Sequence, residues 1–270
     1  MPSKPQQPPK NKNKVKDTPT TTTSTKPTPP NWPPLKPLLP SSTLSLTPLL
    51  PNYQILTISH FWTSTLCKAY ISFLSSSSSN LTFTTTPSKP KKGEAVRVND
   101  RLQVDDAGFA ERLWSGTGLK GLVMGDNGFE GDGDEEKEKD RGLWGGEVLG
   151  LSSNIRVYRY GKGQFFGRHY DESNHIMFPS DDAPDAVPAK TTWTFLLYLT
   201  SPATGCQGGE TVFYPEAVSK REAAPAPVVV NLEVGMALLH RHGKECMLHE
   251  GKEVTEGEKW VIRSDVCVKR

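Results

Sequence analysis

Long apolar runs are missing from this 270-residue chain. No stretch reaches the roughly 18 apolar residues of a membrane-spanning helix, so none is expected. The opening M-P-S-K-P-Q-Q-P-P-K has no apolar core of the kind a secretory signal peptide carries, so export is not expected either. Cysteine is scarce: Cys67, Cys206, Cys246 and Cys267 stand alone, with no C-x-x-C pair. That spacing argues against a cysteine zinc site and against a disulfide framework, and favours reduced thiols in an intracellular compartment, cytoplasm or nucleus. Charge of one sign is also lacking. With 32 Lys and Arg against 30 Asp and Glu, the net charge is +2, and nothing in that balance calls for a polyanionic partner. Hydrophobic residues make up only 35%, beside 23 Pro and 23 Gly, which suits one folded domain with disordered ends and loops.

What is present falls into blocks. Residues 1–51 are rich in Pro, Thr, Ser and Lys with Asp17 as the single acid, and are expected to stay disordered for want of apolar surface to bury. The K-N-K-N-K-V-K run from Lys10 to Lys16 reads as a solvated basic tail in preference to a nuclear import signal. Residues 52–270 form the expected folded domain: a helical support over 52–124, a charged loop over 125–141 and a β-rich core over 144–270. Apolar positions Phe61, Trp62, Leu66, Tyr70, Ile71 and Leu74 predict a helix over 59–74 with Ser59 as its N-cap. Val96, Val98 and Leu102 predict a short strand, after which Asp105 or Asp106 caps a second helix through Phe109, Leu113 and Trp114. Short β-branched or aromatic segments then recur between Gly, Pro and Asp turns: 149–151, 154–160, 165–171, 191–200, 210–214, 228–232, 236–241 and 259–268. About eight strands behind two helices predict a mainly β fold with supporting helices, a double-stranded β-helix or jelly roll. Residues 181–190 and 215–227 are expected to be its longer loops.

The chemistry centres on G-K-G-Q-F-F-G-R-H-Y-D. His169 and Asp171 lie two apart, which on a strand puts an imidazole and a carboxylate on one face. They supply two of the three donors of a 2-His-1-carboxylate site, the usual holder of non-haem Fe(II). The candidate third is His249, in C-M-L-H-E-G. Lys259 follows it, opening K-W-V-I-R-S-D-V, and a buried cation there calls for an anion. Arg263 alternates onto the same face, either sharing that task or lining the substrate side. His240 and His242 form a rival i, i+2 pair, but no suitably placed carboxylate accompanies them. Trp193 and Trp260 read as core, and Glu210 as a turn residue. Arg156, Tyr158 and Tyr160 share one face.

In order and spacing His169, Asp171, His249 and Lys259 resemble the signature of the Fe(II)- and 2-oxoglutarate-dependent dioxygenases, in particular the prolyl 4-hydroxylase-like group. Tyr160 before H-x-D, the T-x-x-x-Y-L strand of Thr194, Tyr198 and Leu199, and G-G-E-T-V-F from Gly208 to Phe213 extend the likeness over 154–266. The resemblance implies His169, Asp171 and His249 as Fe(II) ligands and Lys259 as the 2-oxoglutarate anchor. It also implies Tyr160 and Tyr198 as hydroxyl donors to 2-oxoglutarate, and ascorbate as reductant. The reaction it implies is hydroxylation of an unactivated C–H bond with O2, on a prolyl residue of a protein or on a small molecule, releasing succinate and CO2. A non-catalytic iron and 2-oxoglutarate sensor is the alternative. No nucleic-acid or membrane partner is expected, and no oligomeric state is assigned. The segment before Lys259 is more charged than in the collagen-directed enzymes, whose peptide-binding domain has no counterpart here.

Overall fold

The computed structural model describes residues 29–79, 81–86, 90, 93–125, 142–179, 186–217, 221 and 223–270. Eight strands make the core: β1 (Asn154–Tyr160), β2 (Phe165–His169), β3 (Val187–Tyr198), β4 (Thr211–Tyr214), β5 (Val228–Val230), β6 (Ala237–Arg241), β7 (Leu248–Gly251) and β8 (Lys259–Lys269). They pair antiparallel into two facing sheets, β6-β3-β8-β1 and β5-β4-β7-β2, which is the expected jelly roll. The first sheet widens at its edges, with Ile55–Ile58 pairing β6 and Asp100–Asp105 pairing β1. Among the described residues no helix is long and apolar enough to cross a membrane.

Period-2 alternation gives the larger sheet two jobs. Ile155, Val157, Trp193, Phe195, Leu197, Ala237, Leu239, Trp260 and Ile262 bury one face against the helices α1 (Ser64–Ser75) and α2 (Ala107–Ser115). The residues between them point into the space between the sheets: Tyr158 and Tyr160 from β1, Tyr198 from β3, Leu238 from β6 and Val261 from β8. Because both faces are covered, the strands read as near-continuous apolar runs, and the polar residues interrupting the inner face are the ones available for chemistry.

Several boundaries depart from the sequence reading, each for a local reason. Helix α1 begins after Thr63, whose hydroxyl caps the Leu66 amide at 3.2 Å, and not at Ser59. His60 adopts a left-handed φ of 54° and the Trp62 amide donates to the Gly235 carbonyl, so the chain enters this helix four residues late. Asn99 splits the expected strand into Arg97–Val98, which pairs β2, and Asp100–Asp105, which pairs β1. The expected loop over 181–190 is strand from Val187 onward, and the strand His175–Phe178 pairs with it. The charged loop is described only at residue 125; residues 126–141 lie outside the described set, as do residues 1–28 of the tail.

Residues 29–51 correct the expectation that the whole of 1–51 is disordered. Trp32 is buried, stacks on Phe109 at 4.2 Å between ring centroids and donates its Nε1–H to Asp106 at 2.8 Å. A large aromatic placed among prolines anchors a segment whose average composition suggests none. Asp106 also caps α2 through the Phe109 amide at 2.8 Å. Asp106→Ala therefore removes an N-cap and leaves a buried indole N–H unpaired, and is expected to destabilise by about 2–3 kcal/mol in a denaturant melt. A loss below about 0.5 kcal/mol would show that neither bond matters to stability.

Candidate active site

The inner faces converge on one pocket, lined among others by Tyr160, His169, Asp171, Tyr198, His240, His249, Lys259 and Arg263. His169 ends β2, and His249 sits directly opposite it on β7 as its cross-strand partner. A register shift follows immediately, between His249 and Gly251. This opposition brings two imidazoles 80 positions apart in the chain to 4.2 Å between ring centroids. The strand carrying His249 was missed in the sequence because L-H-E-G is short, charged and ends in glycine. Its signal is the pairing with the equally short Thr211–Tyr214, which only the register reveals.

Asp171 follows β2 and is fixed from several sides. Its amide donates to Cys246 Sγ at 3.2 Å, and its carbonyl accepts from the Gly243 amide at 2.8 Å. One carboxylate oxygen accepts from the Thr194 hydroxyl at 2.8 Å and forms an ion pair with Arg263 at 3.0 Å, and the other accepts from Arg263 at 3.1 Å. Burial alone would push this carboxyl up, but Arg263 together with His240, His249 and His169 more than offsets it and holds Asp171 well below the usual carboxylate range. Arg263 also contacts Asp265, which pairs with the buried Arg156.

Both imidazoles are pre-set. His169 Nδ1 donates to the Gly167 carbonyl at 2.8 Å and His249 Nδ1 to the Met247 carbonyl at 2.9 Å, which leaves each Nε2 as a lone pair facing Asp171, at 3.6 and 3.8 Å. Burial lowers the His169 pKa to about 4, and lowers that of His249 as well. Neutral imidazoles beside an ionised carboxylate are the protonation states metal ligation requires. His169, Asp171 and His249 offer donor atoms within 4.8 Å of one another, and this N, N, O set suits Fe(II). Cys246 lies at the margin, its thiol pushed up to about 11 by burial, and with His240 and His249 it forms a second group of the same tightness.

His240 is the residue the sequence reading passed over for lack of a carboxylate. The chain supplies one from a distance: Asp171 Oδ2 stands 3.7 Å from His240 Nε2. The ring is 1% exposed, its Nδ1 meets the Arg241 carbonyl at 3.2 Å, and its Nε2 has no hydrogen-bond partner. His242 is instead held between Thr191 and Thr194.

Lys259 opens β8 on the opposite side of the pocket. It is 6% exposed, its ammonium donates to the Gly209 carbonyl at 2.6 Å, and it lies 5.5 Å from the Tyr160 ring and 5.3 Å from the Tyr198 ring. Among the described residues it makes no ion pair, and burial lowers its pKa to about 8. Gly209 has φ +76°, and a Cβ there would stand 3.1 Å from Lys259 Cδ, so G-G-E-T is what lets the carbonyl reach the ammonium. The Tyr198 hydroxyl bonds Thr211 at 2.7 Å, and burial raises the pKa of both tyrosines, leaving them neutral donors. A buried ammonium with one of three donors used, ringed by phenols, is a receptor for a carboxylate.

Residues 155–264 match the family model described as the 2OG-Fe(II) oxygenase superfamily. No curated protein matches the sequence. Among solved structures the chain is similar to the viral collagen prolyl hydroxylase of Paramecium Bursaria Chlorella virus-1 in complex with 2OG (16% identity, 80% of this chain and 96% of that one, TM-score 0.43). It is also similar to a Pseudomonas putida prolyl-4-hydroxylase (14%, 80% and 93%, TM-score 0.48). A third likeness is to a prolyl hydroxylase of Trichoplax adhaerens in complex with a hypoxia inducible factor peptide (15%, 79% and 83%, TM-score 0.47).

Proposed function

We propose that this chain, whose residues 155–264 match the 2OG-Fe(II) oxygenase superfamily model, hydroxylates an unactivated C–H bond of a prolyl residue in a protein. The observation that carries the reading is the polarity of one pocket. At one end stand two neutral imidazoles and an ionised carboxylate, and at the other an ammonium that makes no ion pair among the described residues. A five-carbon keto diacid would suit such a pocket: the donor set would hold the Fe(II) that takes its keto-acid end, and Lys259 would hold its far carboxylate. His169, Asp171 and His249 are the proposed Fe(II) ligands, and Lys259 with Tyr160 and Tyr198 the proposed 2-oxoglutarate contacts.

When bound, Fe(II) supplies the redox chemistry that couples loss of CO2 from 2-oxoglutarate, giving succinate, to transfer of the second O2 oxygen into the C–H bond. The protein's own contribution is positional. The carbonyls of Gly167 and Met247 fix the tautomers of the two histidines, and Thr194 and Arg263 fix the carboxylate. The buried aromatic floor excludes water from the anion site and strengthens the Lys259 contact. Arg263, engaged by two carboxylates, is proposed as a positioning residue in preference to a second anchor. Ascorbate is the proposed reductant after unproductive turnovers, and cytoplasm or nucleus the proposed compartment.

The test is 2-oxoglutarate binding to the Mn(II)-loaded chain, followed by calorimetry. Lys259→Ala is expected to weaken it about 100-fold with metal affinity intact. Parent-like 2-oxoglutarate affinity in that variant would move the anchor to Arg263. The pH dependence has a definite sign. Lys259 has a folded pKa lowered to about 8, so it is charged below that value. Affinity should hold at neutral pH, fall as pH rises through 8 to 9, and be accompanied there by proton uptake from buffer. A flat profile to pH 10 would dissociate Lys259 from the ligand. Substrate identity is checked by mass spectrometry, as a one-oxygen gain on proline that requires 2-oxoglutarate.

A further inference from the structure

We infer that the open cleft leading to this site binds an acidic peptide segment, with Arg97 and Arg101 as the receptor for a carboxylate side chain near the residue to be oxidised. The inference rests on the proposed function and names the substrate class of the same site. The cleft has a volume of about 1210 Å³ and runs from Thr82 and Thr84 past both arginines to His169 and Asp171. That is larger than the roughly 300–1,000 Å³ of a small-molecule pocket and suits a length of extended chain.

Its charges are unevenly matched. Arg97 lies on the short strand that pairs β2, with its guanidinium 4.9 Å over the Phe166 ring and 5.8 Å from Tyr158. Phe166 in turn stacks on His169 at 3.6 Å and 17°. The cation thus stands two stacking steps from a proposed iron ligand, a separation of one or two peptide residues. Arg101, on the neighbouring strand opposite Tyr158, bonds Gln103, and its Nε is buried with no partner. Burial lowers its pKa, and Arg97, Arg156 and Arg263 push the same way.

None of the ion pairs among the described residues includes Arg97 or Arg101. The other charges in the cleft are accounted for. Asp171 is taken by Arg263, while Arg168 is mostly exposed, stacked on Tyr214 and 4.0 Å from Glu250. Glu94 and Glu172 are exposed and solvated. Two half-buried guanidiniums held together without a counter-ion repel each other, and a bound carboxylate relieves that cost.

The experiment uses three fluorescent proline-containing decapeptides, identical except for Glu, Gln or Lys at the positions flanking the proline, titrated into the full chain with Mn(II) and 2-oxoglutarate at low salt. The Glu peptide is expected to bind at least 10-fold tighter than the Gln peptide, and the Lys peptide weakest. Raising the salt should erase the difference. In the Arg97→Gln, Arg101→Gln double variant the Glu preference should vanish while calorimetric 2-oxoglutarate affinity is unchanged. Arg101→Lys, which retains the charge, should keep part of it. Equal binding of Glu and Gln peptides, or a preference that survives the double variant, overturns the inference. Free glutarate displacing the Glu peptide at equal affinity overturns its peptide part and makes the ligand a small acid. Failure of the parental chain to bind 2-oxoglutarate sinks the proposed function and leaves the peptide preference to be judged by itself.

Discussion

His169→Ala is expected to fold as the parent does and to lose metal affinity by more than about 100-fold, together with all 2-oxoglutarate-dependent succinate release. Its side chain is 12% exposed and stacks on Phe166, so truncation opens a gap at the pocket wall and leaves the core intact. Equilibrium dialysis against Mn(II), with circular dichroism as the folding control, measures the first effect. Asp171→Ala should lose metal equally, but with some loss of stability, because it also strips Arg263 of a partner. His175→Ala, exposed on another strand, should bind metal like the parent. Undiminished metal binding by His169→Ala would shift the site to His240, Cys246 and His249, the other tight donor group. A soft thiol in that set would then favour zinc over iron, and a metal-competition titration distinguishes the two.

Arg263→Leu is expected to be among the most destabilising single changes, about 3 kcal/mol in the metal-free protein. Its guanidinium is 11% exposed and bridges Asp171 to Asp265. Removing it leaves two buried carboxylates with weaker compensation, Thr194 for the first and Arg156 for the second. The sign with pH follows from Asp171. Its folded pKa lies well below the unfolded value, so the pair contributes stability that is fully present above the ordinary carboxylate range and is lost progressively as pH falls below that range toward the lower folded pKa. The gap between parent and variant should therefore be widest at neutral pH and narrow below about pH 4. Divalent metal should narrow it as well, since a cation on Asp171 replaces part of the missing charge. Urea melts with and without Mn(II) test this, and a variant equally stable under every condition would reduce the Arg263 bridge to a surface pair.

Much of this protein could be read from local pattern. Alternation with period two, visible in T-W-T-F-L-L-Y and K-W-V-I-R-S-D-V, determined the strands and which residues share a face, because side-chain direction on a strand depends only on parity. The order His169, Asp171, His249, Lys259 set the candidate chemistry for the same reason, since donor type is a property of the residue. Tertiary structure alone decided what depends on register and long-range pairing. It seated His249 on an unforeseen strand directly across from His169 and tied residues 29–51 to the domain through Trp32. Asp171 was brought to His240, a histidine that seemed to have no carboxylate. The same packing turned Arg263 toward two acids and left Arg97 and Arg101 without one among the described residues. Hydrogen-bond and charge partners are chosen across dozens of intervening residues, by sheet closure and burial, and no window of sequence carries that information.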